Sequence, residues 1–191
     1  MSTLARFAGL LALLGGAVWV IANLIQMADP SSFAWIGLFA SVLLIGGAVL
    51  GLQRQLGART GMLGRWGAPA TAAGSVALLA FLLITVATGQ IYATTPPPPI
   101  LLVLSFLSLL LWLVGSLVFA VGLMRAKAIS PIAGWLIVLG ALVSPVSVMA
   151  GGENPPAFVY LPFVLYGIGW VLVGYAARTP AADLGVAGQA S

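Results

Sequence analysis

Apolar residues run along this chain in six long blocks, each ended by a cluster of polar, proline or basic positions. About 20 apolar residues cross a hydrocarbon core some 30 Å thick, and each block is close to that length. The first runs from Phe7 to about Met27, between Arg6 and Asp29-Pro30. The second runs from Phe33 to Leu52, and the polar stretch from Gln53 to Arg65 parts it from the third, about Trp66–Thr88. The fourth, Ile100 to Met124, follows Pro96-Pro97-Pro98-Pro99; the fifth covers Pro131–Met149 and the sixth Ala157–Ala177. In lipid the backbone must satisfy its own hydrogen bonds, so runs of this kind predict helices. The expected fold is all-α: a polytopic membrane bundle of six transmembrane helices forming one domain over 1–178, with a short flexible cytoplasmic tail at 179–191. Arg6 ahead of an apolar core has the outline of a signal peptide, but the core exceeds the usual 7–15 residues and no clear A-x-A site follows, so it is read as a membrane helix.

The blocks also repeat. Arg6-Phe7-Ala8-Gly9, Arg65-Trp66-Gly67-Ala68 and Pro131-Ile132-Ala133-Gly134 open blocks one, three and five, and Gly15, Gly74 and Gly140 stand at equivalent places after them. Blocks two, four and six end on Gly51-Leu52-Gln53-Arg54, Gly122-Leu123-Met124-Arg125 and Gly174-Tyr175-Ala176-Ala177-Arg178. Together these suggest three parallel two-helix repeats about an axis along the membrane normal.

Composition agrees with the pattern. Of 191 residues, 62% are hydrophobic and 5% charged, where a soluble domain carries about 25% charge. The net charge of +4 does not indicate nucleic acid, because the basic residues are dispersed between apolar spans and form no single basic face. They predict orientation instead. Arg6, Arg54, Arg59, Arg65, Arg125, Lys127 and Arg178 all fall on one side of a six-span arrangement, with Asp29 and Glu153 in the opposite loops. Lys and Arg favour the cytoplasmic side, so both termini are expected in the cytoplasm of a prokaryotic plasma membrane. Cysteine and histidine are absent, which excludes disulfides, thiolate or His-ligated metal sites and a Ser-His-Asp triad.

Ion- and proton-coupled carriers place ionisable groups at the midplane; here all of them lie near span ends, in loops or in the tail. Neither a catalytic residue nor a metal ligand set emerges, and no cofactor is expected. Asn23 and Gln26 share a helix face, and an interhelical hydrogen bond is the simpler role for them than an outer polar pocket. Trp19, Trp112 and Trp170 lie deep in their spans, and Tyr166 shares a face of span six with Trp170; Trp112, Tyr166 and Trp170 either pack the bundle or stack on an apolar ligand such as a lipid, quinone or carotenoid. Small residues four apart, Ala12/Gly16, Gly47/Gly51 and Ala70/Gly74, fit close helix packing. Trp66 and Trp135, with Trp35 and Tyr92 opposite, make an interfacial aromatic belt. Pro145 is expected to kink span five, and the proline run to form an extended polyproline II strip.

The stretch Phe119-Ala120-Val121-Gly122-Leu123-Met124-Arg125-Ala126, with Ile129-Ser130-Pro131, Gly169-Trp170 and Gly174-Tyr175, resembles a group of small uncharacterised six-span prokaryotic integral membrane proteins. The three-hairpin plan is more distantly similar to the acid-resistance HdeD family. Neither resemblance brings catalytic residues with it. The expected function is that of a non-catalytic accessory, scaffold or helper subunit, whose partners are the bilayer and either another membrane protein or a second copy of itself. The alternative is a binder or carrier of an apolar small molecule within the bundle.

Overall fold

A computed structural model describes residues 3–29, 34–89, 98–151 and 156–178, without the side chains of 3–6 and 148–151. Every described element is a helix: α1 (Thr3–Ala28), α2 (Ala34–Leu56), α3 (Gly61–Ala87), α4 (Pro99–Arg125), α5 (Pro131–Gly151) and α6 (Leu161–Arg178), with 3-10 turns at Gly57–Thr60 and Ala157–Tyr160. Phe7–Ala28, Ala34–Ala87, Pro99–Arg125 and Ala157–Arg178 are helical stretches long and apolar enough to cross a membrane. The second of these, 54 residues, is α2 and α3 joined through the 3-10 turn, and the apolar part of α5, Pro131–Ser147, is shorter. The chain is a helical membrane protein, and its outer surface carries exposed Ile21, Leu83, Phe106, Val114 and Leu142 accordingly.

The stretch Gln53–Arg65, expected to be a polar linker, is helical almost throughout. Gly57 (φ 29°) and Gly61 (φ 61°) take left-handed backbone angles that turn the chain from α2 into α3 within four residues. The proline run divides: Pro98 has extended angles (φ −52°, ψ 143°), while Pro99 opens α4. Helix α5 continues through Pro145. Beside that proline, Ser144 Oγ donates to the Gly140 carbonyl at 2.5 Å and Ser147 Oγ to the Val143 carbonyl at 3.1 Å. Pro96, Pro97, Tyr92, Glu153 and the 179–191 tail lie outside the described residues.

Each helix packs against its neighbours in sequence, and α6 returns to α1, so the helices form a closed ring. The ring is uneven. Contacts are most extensive for α3 with α4, α1 with α6 and α1 with α2, and thinnest at the seams α2/α3 and α4/α5. Glycine accounts for two of the tight pairs. On α1, α3, α4 and α6, glycines stand a heptad apart: Gly9/Gly16, Gly67/Gly74, Gly115/Gly122 and Gly167/Gly174. A methyl group on Gly16 would lie 2.6 Å from the Gly167 carbonyl oxygen, and one on Gly9 would lie 3.1 Å from that of Gly174. A methyl group on Gly74 would lie 2.5 Å from Trp112 N, and one on Gly122 3.0 Å from Gly64 N. Both antiparallel pairs therefore bring backbone against backbone, where dispersion and weak polar contacts hold helices together in lipid. The α3–α4 hairpin closes the ring against a tighter row of α2, α1, α6 and α5.

Candidate functional site

The centre of the ring is aromatic. Trp19 from α1, Trp112 from α4 and Tyr166 from α6 meet there, with ring centroids 5.1 Å apart for Trp19–Trp112, 5.6 Å for Trp19–Tyr166 and 5.1 Å for Trp112–Tyr166. Trp170 follows Tyr166 by one turn at 6.3 Å, and Phe163 covers Trp19 at 6.2 Å. These separations suit offset and edge-on pairs. Polar atoms tie the rings to different helices. Tyr166 Oη donates to Ser116 Oγ on α4 at 2.9 Å, and Trp19 Nε1 donates to the Phe163 carbonyl at 2.8 Å. The indole N–H groups of Trp112 and Trp170 have no hydrogen-bond partner. That of Trp170 lies near the Tyr166 hydroxyl without meeting hydrogen-bond geometry.

The sequence candidates thus divide. Trp112, Tyr166 and Trp170 come together, fully buried, and fill the space between α1, α4 and α6 with their own rings. Asn23 is buried, but its Nδ2 donates to the Trp19 carbonyl one turn back at 2.8 Å, which is a bond within its own helix rather than across helices. Gln26 is half-buried on the same helix. Sequence reasoning gave Trp19 less weight than its position merits and missed Ser116 and Phe163. An isolated serine in an apolar span is the kind of signal that could have found Ser116.

Other buried hydroxyls bond backbone carbonyls. Ser41 Oγ reaches the Gly15 carbonyl at 2.6 Å, joining α2 to α1, and Ser75 Oγ reaches the Val42 carbonyl at 3.1 Å, joining α3 to α2. Thr71, Ser108 and Ser144 donate to the carbonyl one turn back in their own helices. Among the described residues, no Asp, Glu, Lys or Arg is buried, and no three metal-ligating side chains of the His, Cys, Asp and Glu types cluster. The arrangement supplies packing and weak hydrogen bonds, with no acid–base pair in the interior.

A second feature lies at the end of the bundle where α2 passes into α3. There a half-open groove of about 830 Å³ is lined by Gln53, Gly57, Ala58, Gly61, Met62, Arg65 and Trp66. The close approaches of Gly9 to Arg178, Gly51 to Ala8 and Gly122 to Gly64 place the start of α1 and the ends of α2, α4 and α6 at this same end. Arg54, Arg59, Arg65, Arg125, Lys127 and Arg178 consequently gather here, while Asp29 stands at the opposite end of α1. Trp66 and Trp135 are both exposed at the basic end.

No protein-family model matches the chain, and neither does any curated protein or solved structure.

Proposed function

We propose that the chain is a non-catalytic six-span protein of a prokaryotic plasma membrane, both termini cytoplasmic, acting as an accessory, scaffold or helper subunit. The observation that carries this reading is the interior, where aromatic rings, glycine contacts and hydroxyl–carbonyl bonds occupy the centre, and every described Asp, Glu, Lys and Arg lies outside it. Such a core can hold a shape but offers no group to shuttle protons or attack a substrate. Six spans are favoured by length as well as pattern. The 21 residues of α5 rise about 31 Å, which matches the hydrocarbon thickness. Purification from a mild detergent should bring down a stoichiometric larger partner or a homo-oligomer. A strictly monomeric particle without a partner, at the protein levels found in the membrane, would sink this reading.

The second reading, an apolar-ligand binder, draws on the two unpartnered indole N–H groups beside the Tyr166–Ser116 hydrogen bond. These N–H groups would donate to the carbonyl of a lipid or quinone seated between the rings. Organic extraction of purified protein, followed by mass spectrometry, should then yield one such molecule per chain. Extracts containing bulk lipid alone exclude it.

A further inference from the structure

We propose that the groove between the end of α2 and the start of α3 binds the phosphate headgroup and glycerol backbone of an anionic phospholipid. The groove is of ligand size: its volume of about 830 Å³ falls within the roughly 300–1,000 Å³ common for small-molecule clefts. Its walls are of two kinds. Met62 and Trp66, 74% and 65% exposed, give an apolar side at the edge of the bundle. Arg65 and the Gln53 amide give a cationic and polar side. Trp and Arg adjoining in this way suit the boundary between acyl chains and headgroups, where an indole sits flat and a guanidinium grips phosphate with paired N–H donors.

Charge selects the occupant. Among the described residues, Arg65 is the one charged residue in the lining, Arg54 and Arg59 flank the groove along the chain, and no acidic residue stands at this end of the bundle. The turn itself presents backbone to the groove at Gly57 and Gly61, both in left-handed conformation with open space where a Cβ would stand. The first turn of α3 has no side-chain cap. Thr60, at the capping position, is instead turned inward: its Oγ1 donates to the Gly57 carbonyl at 2.9 Å and lies 3.0 Å from Gln53 Oε1. The hydroxyl has one proton, so the second contact is satisfied when the Gln53 amide is oriented to donate. Thr60 thereby ties the backbone of the turn at Gly57 to Gln53, two residues of the lining.

This inference rests on the reading of the basic end as a membrane interface, but its test does not depend on which side that end faces. Full-length protein in a neutral detergent would be examined by native mass spectrometry with added phosphatidylglycerol, phosphatidylcholine or inorganic phosphate. One phosphatidylglycerol should be retained per chain in preference to phosphatidylcholine. Arg65→Gln should weaken that retention about fivefold, the value of one basic residue near an anionic surface, whereas Arg125→Gln, at the same end but outside the groove, should not change it. Both residues are exposed, and an unchanged thermal transition would confirm that each variant folds. Equal retention of the two lipids would overturn the assignment. So would an equal loss with Arg125→Gln, since that would mean diffuse attraction, or displacement by millimolar inorganic phosphate, which would mean a site for the free anion.

Discussion

At Gly16 the chain leaves no room for a single carbon. An alanine Cβ there would stand 2.6 Å from both the Gly167 carbonyl oxygen and Val171 N, which are backbone atoms unable to step aside without moving α6. Gly47 has the same residue type in a similar apolar span, but its nearest neighbour would be Leu11 Cδ1 at 3.5 Å, an ordinary contact. Gly16→Ala should therefore destabilise the bundle by about 1–3 kcal/mol, as overpacking does, while Gly47→Ala should be neutral or slightly stabilising. Unfolding in mixed micelles on titration with SDS measures both. A similar small gain for both variants would show that helix propensity, rather than the α1–α6 approach, governs these positions. The unpaired indole N–H of Trp112 is a different matter. In water its burial would cost about 1–3 kcal/mol, but in hydrocarbon the unfolded reference has no water to lose, so the penalty is far smaller.

Helix ends give the element scale its clearest case in the turn from α4 to α5. Lys127 N–H donates to the Met124 carbonyl and Ala128 N–H to the Leu123 carbonyl, each at 3.0 Å, which is the double closure of a Schellman motif. Glycine usually holds the left-handed position of that motif; here it is Lys127, at φ 51°. Ser130 Oγ then accepts from Ala133 N–H at 3.2 Å and Pro131 takes the first position of α5, so one helix ends and the next begins within five residues. Lys127→Gly should stabilise the protein by about 1 kcal/mol by removing the Cβ from a left-handed residue. Lys127→Ala, which removes the charge but keeps the Cβ, should give no such gain in thermal unfolding. The Ser-Pro start of α5 and the apolar lengths were legible in the sequence because they depend on residues close together in the chain. The 3-10 join between α2 and α3 was not, since Gln53 to Arg65 has the polarity of a loop; in the structure it is helix, bent where Gly57 and Gly61 take positive φ. The aromatic centre was half legible. Depth within a span singles out Trp19, Trp112 and Trp170, and four-residue spacing adds Tyr166, yet which helices face one another is set by the heptad glycines, whose matching across α1/α6 and α3/α4 requires the three-dimensional pairing.

For the whole molecule the governing asymmetry is charge. The six described basic side chains and the described carboxylate of Asp29 lie at opposite ends of one ring of helices. Moving Arg54, Arg59 and Arg65 outward would work against the membrane potential by about 2.3 kcal/mol per charge per 100 mV. An orientation that leaves them in the cytoplasm transfers at most one acidic group with each hairpin, a movement the potential does not resist. The chain has no cysteine of its own, so single introduced cysteines report on this without background. Thr60 is a poor choice of position, because its side chain is buried and hydrogen-bonded. Ala58 and Lys127 are exposed at the basic end, and Thr88 is exposed at the other. On intact cells Thr88→Cys should react with an impermeant thiol reagent, whereas Ala58→Cys and Lys127→Cys should react only after permeabilisation. The reverse pattern would invert the orientation. Labelling of Ala58→Cys and Lys127→Cys from opposite sides would break the six-span arrangement itself, because α3 and α4 could then no longer both cross.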